Sequence, residues 1–345
     1  MPRFLDFRSD TVTRPTPEMR EAMAAADVGD DVFGEDPTVR RLEEDVAALL
    51  GMESALFVPS GTMGNQIAAW VHGKRGGQLI CEENCHIALY EGGAAALLSG
   101  TSVRTVRGQA GVFGPEHVEP HVHPDDPHFA PTRTIATENT HNWSGGRIWP
   151  IEAHEAVVEH AHACGAALHV DGARIWNAAA ALGKPPERLL RGADSVMVCL
   201  SKGLGAPVGS VLAGSGRFID QARHVRKALG GGMRQAGVLA AAGLLALEHA
   251  PNVAHDHELV RHVAKGLDKL PGLSVDLDAV ETNMVMVDVS ATGMNGPQFC
   301  DVAGDVGVGC LPRDNGPTAR FVTHRDVTRA DADEALERMG RLLEG

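Results

Sequence analysis

Ala166-Ala-Leu-His-Val-Asp-Gly-Ala-Arg174 decides how this chain folds, together with Ser195-Val-Met-Val-Cys-Leu-Ser-Lys-Gly203. Each is a short apolar run that closes on one charged residue, Asp171 or Lys202, followed at once by glycine. Such runs read as strands buried on both faces of a parallel sheet. Ligands of open α/β sheets bind beyond the carboxyl ends of the strands. The reading therefore brings an acid and a lysine to one ligand-binding edge.

Working outward, Pro37–Leu50 reads as an amphipathic helix, with Val39, Leu42, Val46, Leu49 and Leu50 on one face and Gly51 at its C-terminal cap. Strand-like and helix-like segments then alternate over 55–58, 63–72, 78–81, 102–106, 133–137, 151–163, 166–170 and 196–200. This is the pattern of a mostly parallel sheet flanked by helices. A further strand is expected over 208–213, and long helices over 216–229, 235–249 and 253–270. The tail changes character, with strands near 284–289, 306–311 and 319–323 between helices near 296–303 and 330–343. That predicts an N-terminal arm (1–30) packed on a small domain, a large domain (31–250), and a small C-terminal α+β domain (251–345).

Bulk properties narrow the function. A net charge of −14 over 345 residues opposes a nucleic-acid partner, which needs clustered basic residues. Met1-Pro-Arg-Phe-Leu-Asp-Phe-Arg8 is charged and has no apolar signal core, and the apolar stretch 236–247 is too short to span a membrane. The cysteines, at 81, 85, 164, 199, 300 and 310, are scattered in a long chain and read as free thiols of a reducing compartment. The expectation is a soluble cytoplasmic protein.

Lysine and acid together suit pyridoxal phosphate: the amine forms a Schiff base, and the acid keeps the pyridine nitrogen protonated. Taken singly, Lys202 reads equally as a surface lysine and Asp171 as a turn cap. Ser60-Gly-Thr-Met-Gly-Asn65 follows a strand and opens a helix, so its backbone N–H groups and the Thr62 hydroxyl can cradle a phosphate. It is neither a Walker loop nor a dinucleotide fingerprint. His86 falls on the same sheet edge, where an imidazole can stack on a pyridine ring or move a proton. Arg174 and Arg320 can fork a substrate carboxylate. The triple glycine in Gly230-Gly-Gly-Met-Arg-Gln235 suggests close approach to a ligand or a second subunit. Two metal alternatives, Cys81 with Cys85 and His86, and His117 with His121, His123 and His128, lack the paired spacing of a structural zinc site.

These motifs, in this order, resemble the threonine aldolase family of fold-type-I pyridoxal-phosphate enzymes over essentially the whole chain. The resemblance is carried by Asp6-Phe-Arg-Ser-Asp-Thr-Val-Thr-Arg-Pro-Thr16, Gly29-Asp-Asp-Val-Phe-Gly-Glu-Asp-Pro-Thr38, Pro59-Ser-Gly-Thr-Met-Gly-Asn65, Glu138-Asn-Thr-His141, His169-Val-Asp-Gly-Ala-Arg174, Ser201-Lys-Gly-Leu-Gly205 and Arg226-Lys-Ala-Leu-Gly-Gly-Gly-Met-Arg-Gln235. It implies a covalent cofactor at Lys202, Asp171 on the pyridine nitrogen, Ser60, Gly61 and Thr62 on the phosphate, and His86 stacked over the ring. It implies Ser9, Arg174 and Arg320 on the substrate carboxylate, with Arg174 also near the cofactor, and His128 near the substrate hydroxyl. Lys227 and Arg234 match positions that reach a neighbouring subunit's substrate and cofactor in a homotetramer, a dimer of dimers. Phe33 departs from relatives that carry tyrosine there.

The implied reaction is reversible retro-aldol cleavage of L-threonine, L-allo-threonine and similar β-hydroxy-α-amino acids to glycine and an aldehyde. Lys202 is the covalent anchor, and His86, His128 or a water takes the hydroxyl proton. Two rivals are a pyridoxal-phosphate β-eliminating lyase, which the same fold hosts, and a non-catalytic or metal-dependent protein using the histidine and cysteine cluster.

Overall fold

The computed structural model describes residues 3–344. The first two residues of the expected arm and the last residue of the chain lie outside that range. In chain order the strands are β1 (Leu5–Asp6), β2 (Ser54–Val58), β3 (Gln78–Glu82), β4 (Ser102–Val106), β5 (Thr132–Glu138), β6 (Ala167–Gly172), β7 (Ser195–Cys199), β8 (Ser210–Gly214), β9 (Met284–Asp288), β10 (Val308–Gly309), β11 (Leu311–Pro312) and β12 (Thr318–Val322).

Seven strands form the main sheet in the order β2-β8-β7-β6-β5-β3-β4. Neighbours are parallel except where β8 is involved. The connection from Cys199 to Ser210 is too short for a crossover helix, so β8 returns antiparallel. Every residue of β3, β7 and β8 is buried, as continuous apolar runs require, whereas edge strand β4 exposes four of its five. Strand order reverses between β3 and β5, so the loops after them diverge over a crevice at the carboxyl edge.

Local chemistry sets the flanking helices. Pro37–Leu50 begins where the Asp36 carboxylate accepts from the Thr38 and Val39 N–H groups, and ends at Gly51 with φ +65°. It buries Val39, Leu42, Val46 and Leu50. Leu49, expected on that face, falls at the margin of the stripe and is 45% exposed.

A second core holds the antiparallel sheet β11-β12-β9 and the helices Val253–Leu267, Gly296–Asp305 and Arg329–Glu344. Leu5 and Phe7 of the N-terminal arm are buried in it. The helix Val253–Leu267 joins the two cores, because Val253 packs in the first and Val260 and Val263 in the second. The strand expected over 306–311 divides at Cys310: β10 pairs with β1 and β11 with β12. The arm crosses there because Gly309 has no side chain; a Cβ would lie 2.6 Å from Phe4 Cζ. Among the described residues no single helix is long and apolar enough to cross a membrane.

Candidate active site

The carboxyl ends of β3, β5, β6 and β7 open on a cavity of about 330 Å³. Ser9, His86, Arg174, Lys202 and Arg320, all expected at the site, line it. So do Tyr90, Asn142, Trp143 and Arg313, which the sequence reading did not single out.

Lys202 stands in the loop after β7. The N-terminal arm fixes that loop, because Thr13 Oγ1 donates to the Lys202 carbonyl at 2.9 Å. Lys202 lines the cavity, and its side chain makes no hydrogen bond or ion pair among the described residues. Asp171 closes β6 and is 4% exposed. One of its oxygens accepts from Asn65 Nδ2 at 2.8 Å and the other from the Ala173 N–H at 3.0 Å. No cationic side chain pairs with it among the described residues. A buried carboxylate of this kind is costly unless a positive or N–H donor group completes it.

His86 begins the segment after β3. Its Nδ1 lies 2.9 Å from Glu91 Oε1, leaving Nε2 without a partner among the described residues. Burial works against its charged form. The Glu91 hydrogen bond and the charges of Asp171, Glu91 and Glu138 outweigh burial and hold its pKa above the ordinary histidine value. Glu138, at the end of β5, ties the crevice walls together by accepting from the His86 and Asn142 N–H groups. Burial raises the Glu138 carboxyl above its usual range, and the Asp171 charge adds to that.

Arg174 differs from the expectation in its partner. Its Nε and Nη2 hold Asp10 at 2.7 and 2.6 Å, and both residues are buried. The fork is spent on protein, and Nη1, 3.4 Å from Asn142 Oδ1, is the atom left toward the cavity. Arg320 is the freer guanidinium. Its Nη1 donates to Asn142 Oδ1 at 2.8 Å, Nη2 to the Arg8 carbonyl at 3.2 Å, and Nε is buried without a partner. Burial and the Arg174 charge lower its pKa to about 10. Ser9 caps the turn Asp10–Val12 by accepting from the Thr11 N–H.

Ser60, Gly61 and Thr62 open the helix Gly61–Gly73, with Ser60 Oγ accepting from the Met63 N–H. Glycine at 61 lets this end sit against β7; a Cβ there would lie 3.0 Å from Cys199 Sγ. The helix start, with its free N–H groups, therefore stands beside the strand that delivers Lys202.

Three expected residues are not brought to the cavity of the single chain. His128 Nδ1 pairs with Asp126 at 2.7 Å on an exposed turn. Arg234 holds Asp30 at 3.1 Å and is 56% exposed. Lys227 lies at the end of the helix Gly216–Ala228, against Gly232. The triple glycine has a partner within the chain, since a Cβ on Gly231 would lie 2.3 Å from Met63 Sδ. Phe33, in the turn beside Arg234, is 74% exposed.

The metal alternatives dissolve into separate contacts. Cys81 and Cys85 are buried in an apolar cluster with Leu79 and Ile87. His117, His121 and His123 engage the Gly114 N–H, Arg104 and the Ala130 carbonyl respectively. Among the described residues, the set whose ligand atoms do converge, within 4.8 Å, is His86, Glu91 and Asp171.

Comparison with known proteins agrees over nearly the full length. A model of the β-eliminating lyase family matches residues 6–292. The chain is 48% identical over 340 residues to low-specificity L-threonine aldolase 1 of Arabidopsis thaliana, covering 97% of this chain and 95% of the relative. It is 41% identical over 331 residues to the low specificity L-threonine aldolase of Escherichia coli K12, covering 96% of each. Among solved structures it superposes on a threonine aldolase of Leishmania major with a TM-score of 0.82 at 19% identity, covering 99% of this chain and 100% of the other. An aspartate aminotransferase of Thermus thermophilus gives a TM-score of 0.73 at 15% identity, with coverages of 99% and 92%. At such identities the likeness shows a shared fold.

Proposed function

The chain belongs to the β-eliminating lyase family, on its threonine aldolase side, and from that premise we propose that it cleaves L-threonine, L-allo-threonine and similar β-hydroxy-α-amino acids reversibly to glycine and an aldehyde. The cofactor of this reading is pyridoxal phosphate. The observation that carries it is the meeting of two groups at one sheet edge. Among the described residues the buried Asp171 carboxylate accepts two N–H bonds but pairs with no cation, and Lys202, which lines the cavity, makes no side-chain hydrogen bond or ion pair.

The residues present fit that group. Lys202 supplies the amine that holds it, Asp171 the acceptor for its ring N–H, and His86 a flat ring over the same edge. Ser60, Gly61 and Thr62 offer a helix N-terminus to its phosphate. When bound, pyridoxal phosphate supplies the electron sink for the carbanion left as the Cα–Cβ bond breaks.

The chain's own groups do the rest. Arg320 and Ser9 receive the substrate carboxylate, and Arg174, anchored by Asp10, lends its remaining Nη1. His86 is positioned as the base. With Nδ1 held by Glu91, its Nε2 is free to take the β-hydroxyl proton, a step typically worth about 10²–10⁴-fold. Trp143 and Tyr90 line the same cavity, and we assign them to the aldehyde end of the substrate.

His128, Lys227 and Arg234 we assign to a neighbouring subunit's cavity, in a homotetramer built as a dimer of dimers. Their exposure in the single chain supports this. The six free cysteines fit the cytoplasm.

Product analysis after incubating the pyridoxal-phosphate-loaded protein with L-threonine and, separately, L-allo-threonine tests the reading. Glycine and acetaldehyde in equal amounts are expected. Ammonia with 2-oxobutyrate would instead make it an eliminating lyase.

A further inference from the structure

The buried polar groups behind Asp171 stand in single file. Asn65 Nδ2 donates to Asp171 Oδ2 and to Glu91 Oε1, both at 2.8 Å. Asn65 Oδ1 lies 3.0 Å from His169 Nε2, and His169 Nδ1 lies 2.8 Å from Ser195 Oγ. Ser195 Oγ lies 2.8 Å from His72 Nε2, whose ring stacks on Phe218. Asn65 and Ser195 are fully buried and His169 is 1% exposed.

Elimination places every hydrogen. Carboxylate and amide oxygens only accept. Facing two carboxylates, Asn65 must turn its NH2 toward both, so its oxygen faces His169. His169 must then carry its hydrogen on Nε2. Burial pushes this ring down to about 3, so it is neutral and its Nδ1 is bare. The Ser195 hydroxyl therefore donates to Nδ1, which spends its one hydrogen. His72 must donate from Nε2 to Ser195; burial pushes that ring down to about 4. All links point one way, toward Asp171 and Glu91.

We propose that His72, Ser195 and His169 are positioning residues that lock the Asn65 amide, so that one NH2 group holds both the carboxylate facing the cofactor ring nitrogen and the carboxylate holding His86. None of these residues lines the cavity. The inference rests on the reading of Asp171 as the partner of that nitrogen. A reversed amide would aim its oxygen at two carboxylates and its NH2 at the His169 N–H, so that N–H holds the Asn65 oxygen in place and adds to the carboxylates' opposition to reversal. Asn65 thereby couples Asp171 to Glu91, the carboxylate that holds His86.

The test contrasts His169→Gln, which keeps an N–H for Asn65, with His169→Leu, which fills similar space without one. Pyridoxal phosphate affinity of His169→Gln should stay near that of the unmodified protein. His169→Leu should bind roughly tenfold more weakly or worse, with an altered visible spectrum of the bound cofactor. Equal affinity and identical spectra for the two variants would overturn the proposal. A second readout needs neither cofactor nor variant. Nitrogen-15 shifts of labelled histidine should show His72 and His169 as neutral Nε2–H rings from about pH 5.5 to about pH 8.5, across the ordinary histidine pKa near 6.5. An Nδ1–H or doubly protonated His169 would equally overturn it, and this measurement decides if His169→Leu does not fold. Failure of the unmodified protein to bind pyridoxal phosphate would sink the functional reading and with it the cofactor part of this proposal, while the tautomers test the lock on Asn65 independently.

Discussion

Asp10 grips Arg174 through two hydrogen bonds of 2.6 and 2.7 Å, with both residues buried. The acid comes from the N-terminal arm and the arginine from the segment just after Asp171. The arm is thus a wall of the site, and it also reaches Lys202 through the Thr13 hydroxyl.

Breaking this pair should cost both stability and activity. Burial opposes ionisation of Asp10, but the Arg174 charge and hydrogen bonds override it and hold the carboxyl far below the usual carboxylate range. Asp10→Asn leaves a buried guanidinium uncompensated, at an expected cost of about 3–5 kcal/mol in urea unfolding. The sign in pH follows from linkage. A depressed folded pKa gives stability that is full above about pH 4, the unfolded value, and is lost as pH falls toward the folded one. The unmodified protein should show that acid loss, and Asp10→Asn a smaller one.

His86 should govern the acid limb of the pH–rate profile. A base must be deprotonated, so activity should rise with pH through its pKa, which the Glu91 bond and nearby carboxylates hold above the ordinary value despite burial. Glu91→Gln removes a charge and a hydrogen-bond acceptor. The limb of kcat/KM should move to lower pH and the plateau should fall by roughly tenfold or more. An unmoved limb would pass the base role to another group.

Lys202→Ala should separate chemistry from folding. The ammonium has no protein partner among the described residues, so urea stability should change by no more than about 0.5 kcal/mol. Glycine release from L-threonine should be abolished. Near-normal turnover in this variant would end the proposed mechanism.

What was legible in the sequence is what backbone periodicity controls. Asp171 and Lys202 announce themselves because a buried strand delivers the residues at and just past its carboxyl end to a fixed edge, and Pro37–Leu50 because its caps and stripe are local. Asn142, Tyr90 and Trp143 were missed because they sit on irregular segments, where spacing carries no signal. Asn65 did have one: it lies four residues after Gly61 on a helix, hence on the same face as the expected phosphate cradle. The Asp10–Arg174 pair joins residues far apart in the chain, and only the folded arm shows that Arg174 is half spent on protein.

Asp256 should make the protein less stable as pH rises toward neutrality. Burial, reinforced by the Asp10 charge, raises its carboxyl to about 7. For a raised folded pKa the stability is full below the unfolded value near 4 and is lost as pH climbs through about 7. Between pH 5 and pH 8 the unmodified protein should lose roughly 2–4 kcal/mol from this group. Asp256→Asn should flatten that loss in paired urea titrations, and an equal loss in the variant would put its origin elsewhere.

Gly61 and Gly64 sit on one helix against one strand, yet substitution should affect different properties. A Cβ on Gly64 would lie 2.6 Å from Met197 Cγ, a carbon near the backbone of β7 with little room to retreat. Overpacking there costs about 1–3 kcal/mol, while alanine returns up to about 1 kcal/mol of helix propensity. Gly64→Ala should therefore be destabilising by roughly 1–2 kcal/mol. A Cβ on Gly61 meets Cys199 Sγ and the tip of Met197 at 3.0 Å, contacts that a small outward shift of the helix start relieves. That shift is cheap for folding but moves the N–H groups assigned to the phosphate. Gly61→Ala should accordingly unfold at nearly the same urea concentration and bind pyridoxal phosphate several-fold more weakly, a modest loss of charge-assisted hydrogen bonding. Unchanged affinity would separate the helix start from the phosphate and leave only packing as the reason for glycine at 61.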